Sequence, residues 1–133
     1  AAVNIQAPDT VWAGSWQQEG SSWWYQEDDG IWPAWQWKEI DNKWYYFDEN
    51  GYMVTGWRMV NNKWYYLGND GKMVTGWKQI GGVWYYMDAD GAMATGWRQT
   101  APGQWYYLNA NGVMAASTVI DGYTLDASGL WVS

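Results

Sequence analysis

The side chains able to do chemistry in this sequence are mostly rings: 15 Trp, 11 Tyr and 1 Phe among 133 residues. They recur in phase. Lys43-Trp44-Tyr45-Tyr46-Phe47, Lys63-Trp64-Tyr65-Tyr66-Leu67, Val83-Trp84-Tyr85-Tyr86-Met87 and Gln104-Trp105-Tyr106-Tyr107-Leu108 space their Trp 20, 20 and 21 residues apart. Ring faces attract cations, and the same flat surfaces stack on bases or sugars. Other chemistry is scarce. With no Cys and no His, the chain lacks a thiol nucleophile, thiolate metal sites, the commonest acid/base residue and the commonest metal ligand. Catalysis would fall to carboxylates, Tyr, Ser/Thr or Lys. No catalytic constellation, metal or cofactor is expected, and the acidic residues sit mostly in turns.

Charge narrows the partners. Seven Lys+Arg against 14 Asp+Glu give a formal net charge of −7, which repels phosphate backbones and anionic membranes. Ring stacking on nucleic acid normally works beside a basic groove, so nucleic acid is disfavoured. No apolar run approaches the ~20 residues that cross a bilayer as a helix. The opening Ala1-Ala2-Val3-Asn4 has no basic or apolar leader, as expected of a mature secreted product or an excised module.

The elements that hold the rings follow from the repeat. Each Trp-Tyr-Tyr run is followed by a turn ending in Gly51, Gly71, Gly91 or Gly112, then by Met53, Met73, Met93 or Met114. Thr55-Gly56-Trp57, Thr75-Gly76-Trp77 and Thr95-Gly96-Trp97 close three copies, with Arg58, Lys78 and Arg98 next, and Trp37-Lys38 has the same phase. Looser copies stand at the ends. Upstream, Trp16 precedes Trp23-Trp24-Tyr25, with Trp32 in the Met place; downstream, Gly122-Tyr123-Thr124-Leu125 leads to Trp131 in the Met place. About six units result, with divergent ends as caps. A lead segment over residues 1–15 precedes an array over 16–133, regular from about 37 to 117. Ring-rich strands and the Asn50-Gly51, Asp70-Gly71, Asp90-Gly91 and Asn111-Gly112 dipeptides predict a β-hairpin per unit, turning at those dipeptides. Strand alternation puts Trp44 and Tyr46 on one face, Tyr45 and Phe47 on the other. A lone hairpin is marginal in water. Leu, Ile and Val are too sparse for an aliphatic core, so stacking hairpin on hairpin must bury the rings, which predicts an all-β solenoid.

The unit Gly-Trp-(Lys/Arg), Trp-Tyr-Tyr, Gly-x-Met-x-Thr-Gly-Trp resembles the choline-binding repeat of pneumococcal and related surface proteins and phage lysins, most fully over residues 37–117. The resemblance implies a left-handed β-solenoid of about six stacked hairpins. It also implies a non-catalytic module, secreted and held non-covalently at the cell surface on phosphocholine of teichoic and lipoteichoic acids. Choline sites of that family lie between consecutive repeats. Carried over, they are Trp37, Trp44 and Tyr65 with Met73; Trp57, Trp64 and Tyr85 with Met93; and Trp77, Trp84 and Tyr106 with Met114. A fourth set, Trp16, Trp23 and Tyr45 with Met53, has a one-residue slip in its spacing. A fifth, Trp97 and Trp105 with Tyr123, lacks the intervening Thr-Gly-Trp and has Trp131 for Met.

Physical chemistry supports rings for such a ligand. A quaternary ammonium has a diffuse charge and no N–H donor, so ring faces suit it better than hydrogen-bond acceptors do. Any single ring is equally readable as stacking core, and Tyr46, Tyr66, Tyr86 and Tyr107 read as core alone. Met reads first as packing, Arg58, Lys78 and Arg98 as solvated edge residues rather than phosphate contacts, and Glu27-Asp28-Asp29 as a turn rather than a calcium loop. Two other functions stay open: glucan binding, as in the similar hairpins of glucan-binding repeats, and a small adhesin that binds a host protein. The sequence also leaves open whether the module serves a cell-wall hydrolase and whether two arrays pair as a homodimer.

Overall fold

The computed structural model describes residues 14–133. The expected lead segment lies outside the described residues apart from Gly14 and Ser15, and so does Trp12. Every regular element among the described residues is a strand: β1 Ser15–Glu19, β2 Ser22–Gln26, β3 Gln36–Ile40, β4 Lys43–Phe47, β5 Gly56–Val60, β6 Lys63–Leu67, β7 Gly76–Ile80, β8 Val83–Met87, β9 Gly96–Ala101, β10 Gln104–Leu108, β11 Thr118–Ile120 and β12 Tyr123–Leu125. Consecutive strands pair as six two-stranded sheets, so the all-β class and the count of six hairpins hold.

The hairpins are phased one strand earlier than the sequence suggests. Their tight turns lie at Asp41-Asn42, Asn61-Asn62 and Gly81-Gly82, where both residues have positive φ, the backbone that matches strand twist in two-residue loops. Trp-Tyr-Tyr is therefore the second strand of each hairpin, not the first. The Asn50-Gly51 type of turn instead folds the chain back into a short third leg. Gly51 N–H donates to the Asp48 carbonyl at 2.9 Å, and Met53 makes a single bridge to Phe47. Met73, Met93, Met114 and Trp131 bridge Leu67, Met87, Leu108 and Leu125 in the same way.

The third leg ties one repeat to the one before it. The Met53 N–H donates to the Trp23 carbonyl at 2.7 Å, Met73 to Trp44 and Met93 to Trp64 at 2.8 Å, Met114 to Trp84 and Trp131 to Trp105 at 2.9 Å. The Met53, Met93 and Met114 side chains lie under later turns, at Gly71, Gly112 and Gly129. A Cβ on Gly112 (φ +86°) would collide with Met93 Sδ, so close approach as well as positive φ demands glycine there.

The chain divides into two compact units, residues 14–58 with Leu67–Met73, and Met59–Tyr66 with Val74–Ser133. The first has a core of Tyr25, Ile40, Tyr45 and Phe47, against which Trp16 and Met53 pack. In the second, Met87, Leu108 and Leu125 are fully buried, each the last residue of its Trp-Tyr-Tyr-type strand. Full burial of one such side chain contributes about 1.5–3 kcal/mol. The 21-residue interval is absorbed as a bulge: Gln104 pairs with Ala101 and Trp105 with Gln99, leaving Thr100 unmatched, so Trp97 still faces Tyr107. Where the Gly-Trp glycine is replaced by Gln36 or Thr118, the positive φ falls one residue earlier, on Trp35 (φ 57°) and Ser117 (φ 52°). Their N–H groups donate to the carbonyls of Asp48 and Asp126 at 2.8 and 2.9 Å. That places the exposed Trp35, which has no counterpart in the regular repeat.

Candidate functional site

The ring arrangement is plainest in the second unit. Cross-strand partners Trp77↔Tyr86 and Gln79↔Trp84 put Trp77, Trp84 and Tyr86 on one face of the β7–β8 hairpin, with Tyr85 and Met87 on the other. Trp77 meets Tyr86 at 5.0 Å, Trp84 at 6.3 Å and, from the next hairpin, Tyr106 at 4.9 Å, all edge to face. The Met114 leg joins them through its hydrogen bond to Trp84. The structure thus brings Trp77, Trp84, Tyr106 and Met114 together.

A pocket of about 330 Å³ follows in the same unit, lined by Trp97, Trp105, Tyr123 and Trp131. Tyr123 stands edge-on to both Trp97 (5.6 Å) and Trp131 (5.8 Å). Trp97 Nε1 donates to Asp121 Oδ2 at 3.1 Å, which fixes the indole. In the first unit, Trp16, Trp23, Tyr45 and Met53 line a pocket of about 310 Å³ together with Asn69 and Asp70. Trp16 lies 6.5 Å from Trp23 and 4.9 Å from Tyr45. Burial and the negative charges of Asp70 and Asp41 raise the Tyr45 pKa above its ordinary value.

Two of the expected sets draw on both units. Trp37, Trp44 and Met73 belong to the first and Tyr65 to the second; Trp57 belongs to the first and Trp64, Tyr85 and Met93 to the second. The Met73–Trp44 and Met93–Trp64 backbone bonds hold the within-unit halves.

Pockets near 300 Å³ walled by ring faces, without a catalytic pair, suit a small cation bearing methyl groups. Comparison with known proteins agrees. The family model for the choline-binding repeat matches residues 36–75 and 74–118, more than half of the chain. The chain belongs to the choline-binding repeat family. Choline binding protein F from Streptococcus pneumoniae is 45% identical over 89% of the chain, with a TM-score of 0.83. The cell wall endolysin of pneumococcal phage Cp-1, solved with choline, is 38% identical over 97% of it, TM-score 0.67. The choline binding domain of another S. pneumoniae protein is 44% identical over 60% of the chain and 96% of its own length, TM-score 0.56. This choline-binding repeat chain spans about 40% of the length of the first two. A search of curated proteins gave no match.

Within this choline-binding repeat module Tyr46, Tyr86 and Tyr107 pack as core residues. Trp37–Tyr46, Trp77–Tyr86 and Trp97–Tyr107 contacts of 5.0 to 5.1 Å back the Gly-Trp ring from its own hairpin. Arg58 and Arg98 differ from the solvated-edge expectation, and Lys78 fits it. Arg98 forks onto Asp88 at 2.9 and 3.0 Å, and Lys38 reaches Glu27 at 2.8 Å. Arg58 lies 5.6 Å over the Tyr46 ring. Lys78 is exposed, and Gly68 stands where Asp88 would serve it. Glu27-Asp28-Asp29 is a turn, closed by the Gly30 N–H donating to the Glu27 carbonyl, and no cluster that could hold a metal occurs among the described residues. Sequence reasoning did not find Asn69 and Asp70, which reach the Trp16 pocket from a turn two hairpins away.

Proposed function

We propose that this module binds choline, and anchors whatever carries it to phosphocholine of teichoic and lipoteichoic acids on a Gram-positive cell wall. The observation that carries the reading is the four-ring pocket of Trp97, Trp105, Tyr123 and Trp131 in a chain of the choline-binding repeat family. The equivalent sets are Trp16, Trp23, Tyr45 and Met53; Trp37, Trp44, Tyr65 and Met73; Trp57, Trp64, Tyr85 and Met93; and Trp77, Trp84, Tyr106 and Met114. Their role is binding, not catalysis, and the place of action is the outer face of the wall.

Magnitudes explain the repetition. Each cation–π contact is worth roughly 0.5 to 2 kcal/mol depending on desolvation. Three or four rings, less the cost of association, leave an intrinsic Kd on the order of 1 mM. A polymer that presents choline repeatedly and engages several pockets at once gains roughly 10² to 10⁴ in avidity. The test is retention on a resin bearing tertiary or quaternary amines, with elution by free choline at low millimolar concentration. Elution by salt alone, or retention on glucan oligosaccharides in place of the amine resin, overturns the proposal.

A further inference from the structure

The pockets are not chemically equal, and the difference lies in the turn that covers each Met. Met53 lies against Gly71, Met93 against Gly112 and Met114 against Gly129. The residue before that glycine is Asp70, Asn111 and Ser128, respectively. Of these three covering turns, that of Met53 alone brings a carboxylate at this place. Asp70 lines the Trp16 pocket and acts on the Tyr45 ring by its charge. Its Oδ1 is held by the Lys72 N–H at 3.0 Å, and its Oδ2 lies 4.0 Å from Lys72 Nζ, with both side chains well exposed.

We infer that Asp70 sets the ligand preference of the Trp16, Trp23, Tyr45 and Met53 pocket, favouring a quaternary ammonium without a neighbouring anion over one that carries a phosphate. The inference rests on the proposed cation-binding role of the pocket. With its ammonium among the rings, free choline brings only a neutral hydroxyl to the rim. Phosphocholine brings a phosphate there, close to a carboxylate. Lys72 is the compensating cation, but Asp70 already engages it. At an exposed rim one such charge changes binding about two- to fivefold. The four-ring pocket has Trp131 in place of Met53, and its neighbouring carboxylate, Asp121, accepts from the Trp97 indole N–H and is not among the residues that line the pocket.

The test reads the two pockets separately. Indole N–H NMR signals of Trp23 and Trp105, assigned by Trp23→Phe and Trp105→Phe, are followed as the whole chain is titrated with choline and with phosphocholine. In the wild type, Trp23 should report choline binding about two- to fivefold tighter than phosphocholine binding, a preference absent at Trp105. Asp70→Asn should bring the Trp23 ratio close to that at Trp105, and 0.5 M salt should do the same without a mutation. A Trp23 ratio unchanged by Asp70→Asn, with choline still bound, overturns the role of Asp70 alone. No response of Trp23 to either ligand overturns the underlying reading of the pocket.

Discussion

Trp77 meets Tyr106 of the following hairpin edge to face, with ring centroids 4.9 Å apart. The same indole stands 6.3 Å from Trp84, so one ring both joins two hairpins and belongs to a proposed choline site. Trp77→Ala should lower stability by about 3 kcal/mol, the lower end of the range for aromatic truncation because the residue is half-buried. Calorimetry should also count one choline fewer. Trp84, 41% exposed, separates the two jobs: Trp84→Ala should lose the same site at a smaller cost in stability.

Leu108 is fully buried at the end of β10 and bridges Met114. Leu108→Ala opens a cavity where hairpin and third leg close on each other, and should cost about 2–5 kcal/mol in urea unfolding. Choline added at saturating concentration should recover part of that loss, since ligand bound only to the folded array adds to its stability.

Gly112 and Gly82 both have positive φ, but a Cβ on Gly82 meets open space whereas one on Gly112 meets Met93. Gly82→Ala should cost about 1 kcal/mol, the backbone term alone. Gly112→Ala should cost more and also disturb the Trp64 indole, whose strand Met93 holds. Thermal melts of the two variants side by side give the difference.

Stability should be level from about pH 5 to 9, because no His titrates there, and should fall at both extremes. Burial raises the Tyr25 and Tyr45 hydroxyls above 10.0, and the Glu27 hydrogen bond raises Lys38 above 10.5. A group raised in the folded state stabilises below its unfolded pKa, so these contributions are lost as pH climbs from 10 through the raised values. Asp126 is lowered below 3.8 by Ser128 and by backbone N–H groups. Its contribution is present above 3.8 and disappears as pH falls through the lowered value. Melting temperature against pH checks both limbs, and Lys38→Met should shallow the alkaline one.

Strand content and hairpin number were legible because a 20-residue period, alternating rings and Gly-Trp phases are local signals. The position of the hairpin turn was misread. Asn50-Gly51 carries the stronger dipeptide signal, but Asn61-Asn62, Asp41-Asn42 and Gly81-Gly82 have the flanking strands of equal length that a two-residue turn needs. Asp70 was not legible as a pocket residue, since only stacking places a turn over a Met some 20 residues earlier. The ion pairs of Arg98 and Lys38 were hidden for the same reason: their partners sit one turn back, at places where other repeats have Gly68 or Asn109.

The backbone bond from each Met to the Trp one repeat behind bears on how the chain folds. Within each unit it joins residues about one and a half repeats apart, so each added repeat bonds to the one before it. Assembly then proceeds by nearest-neighbour additions, each hairpin docking on the one already formed.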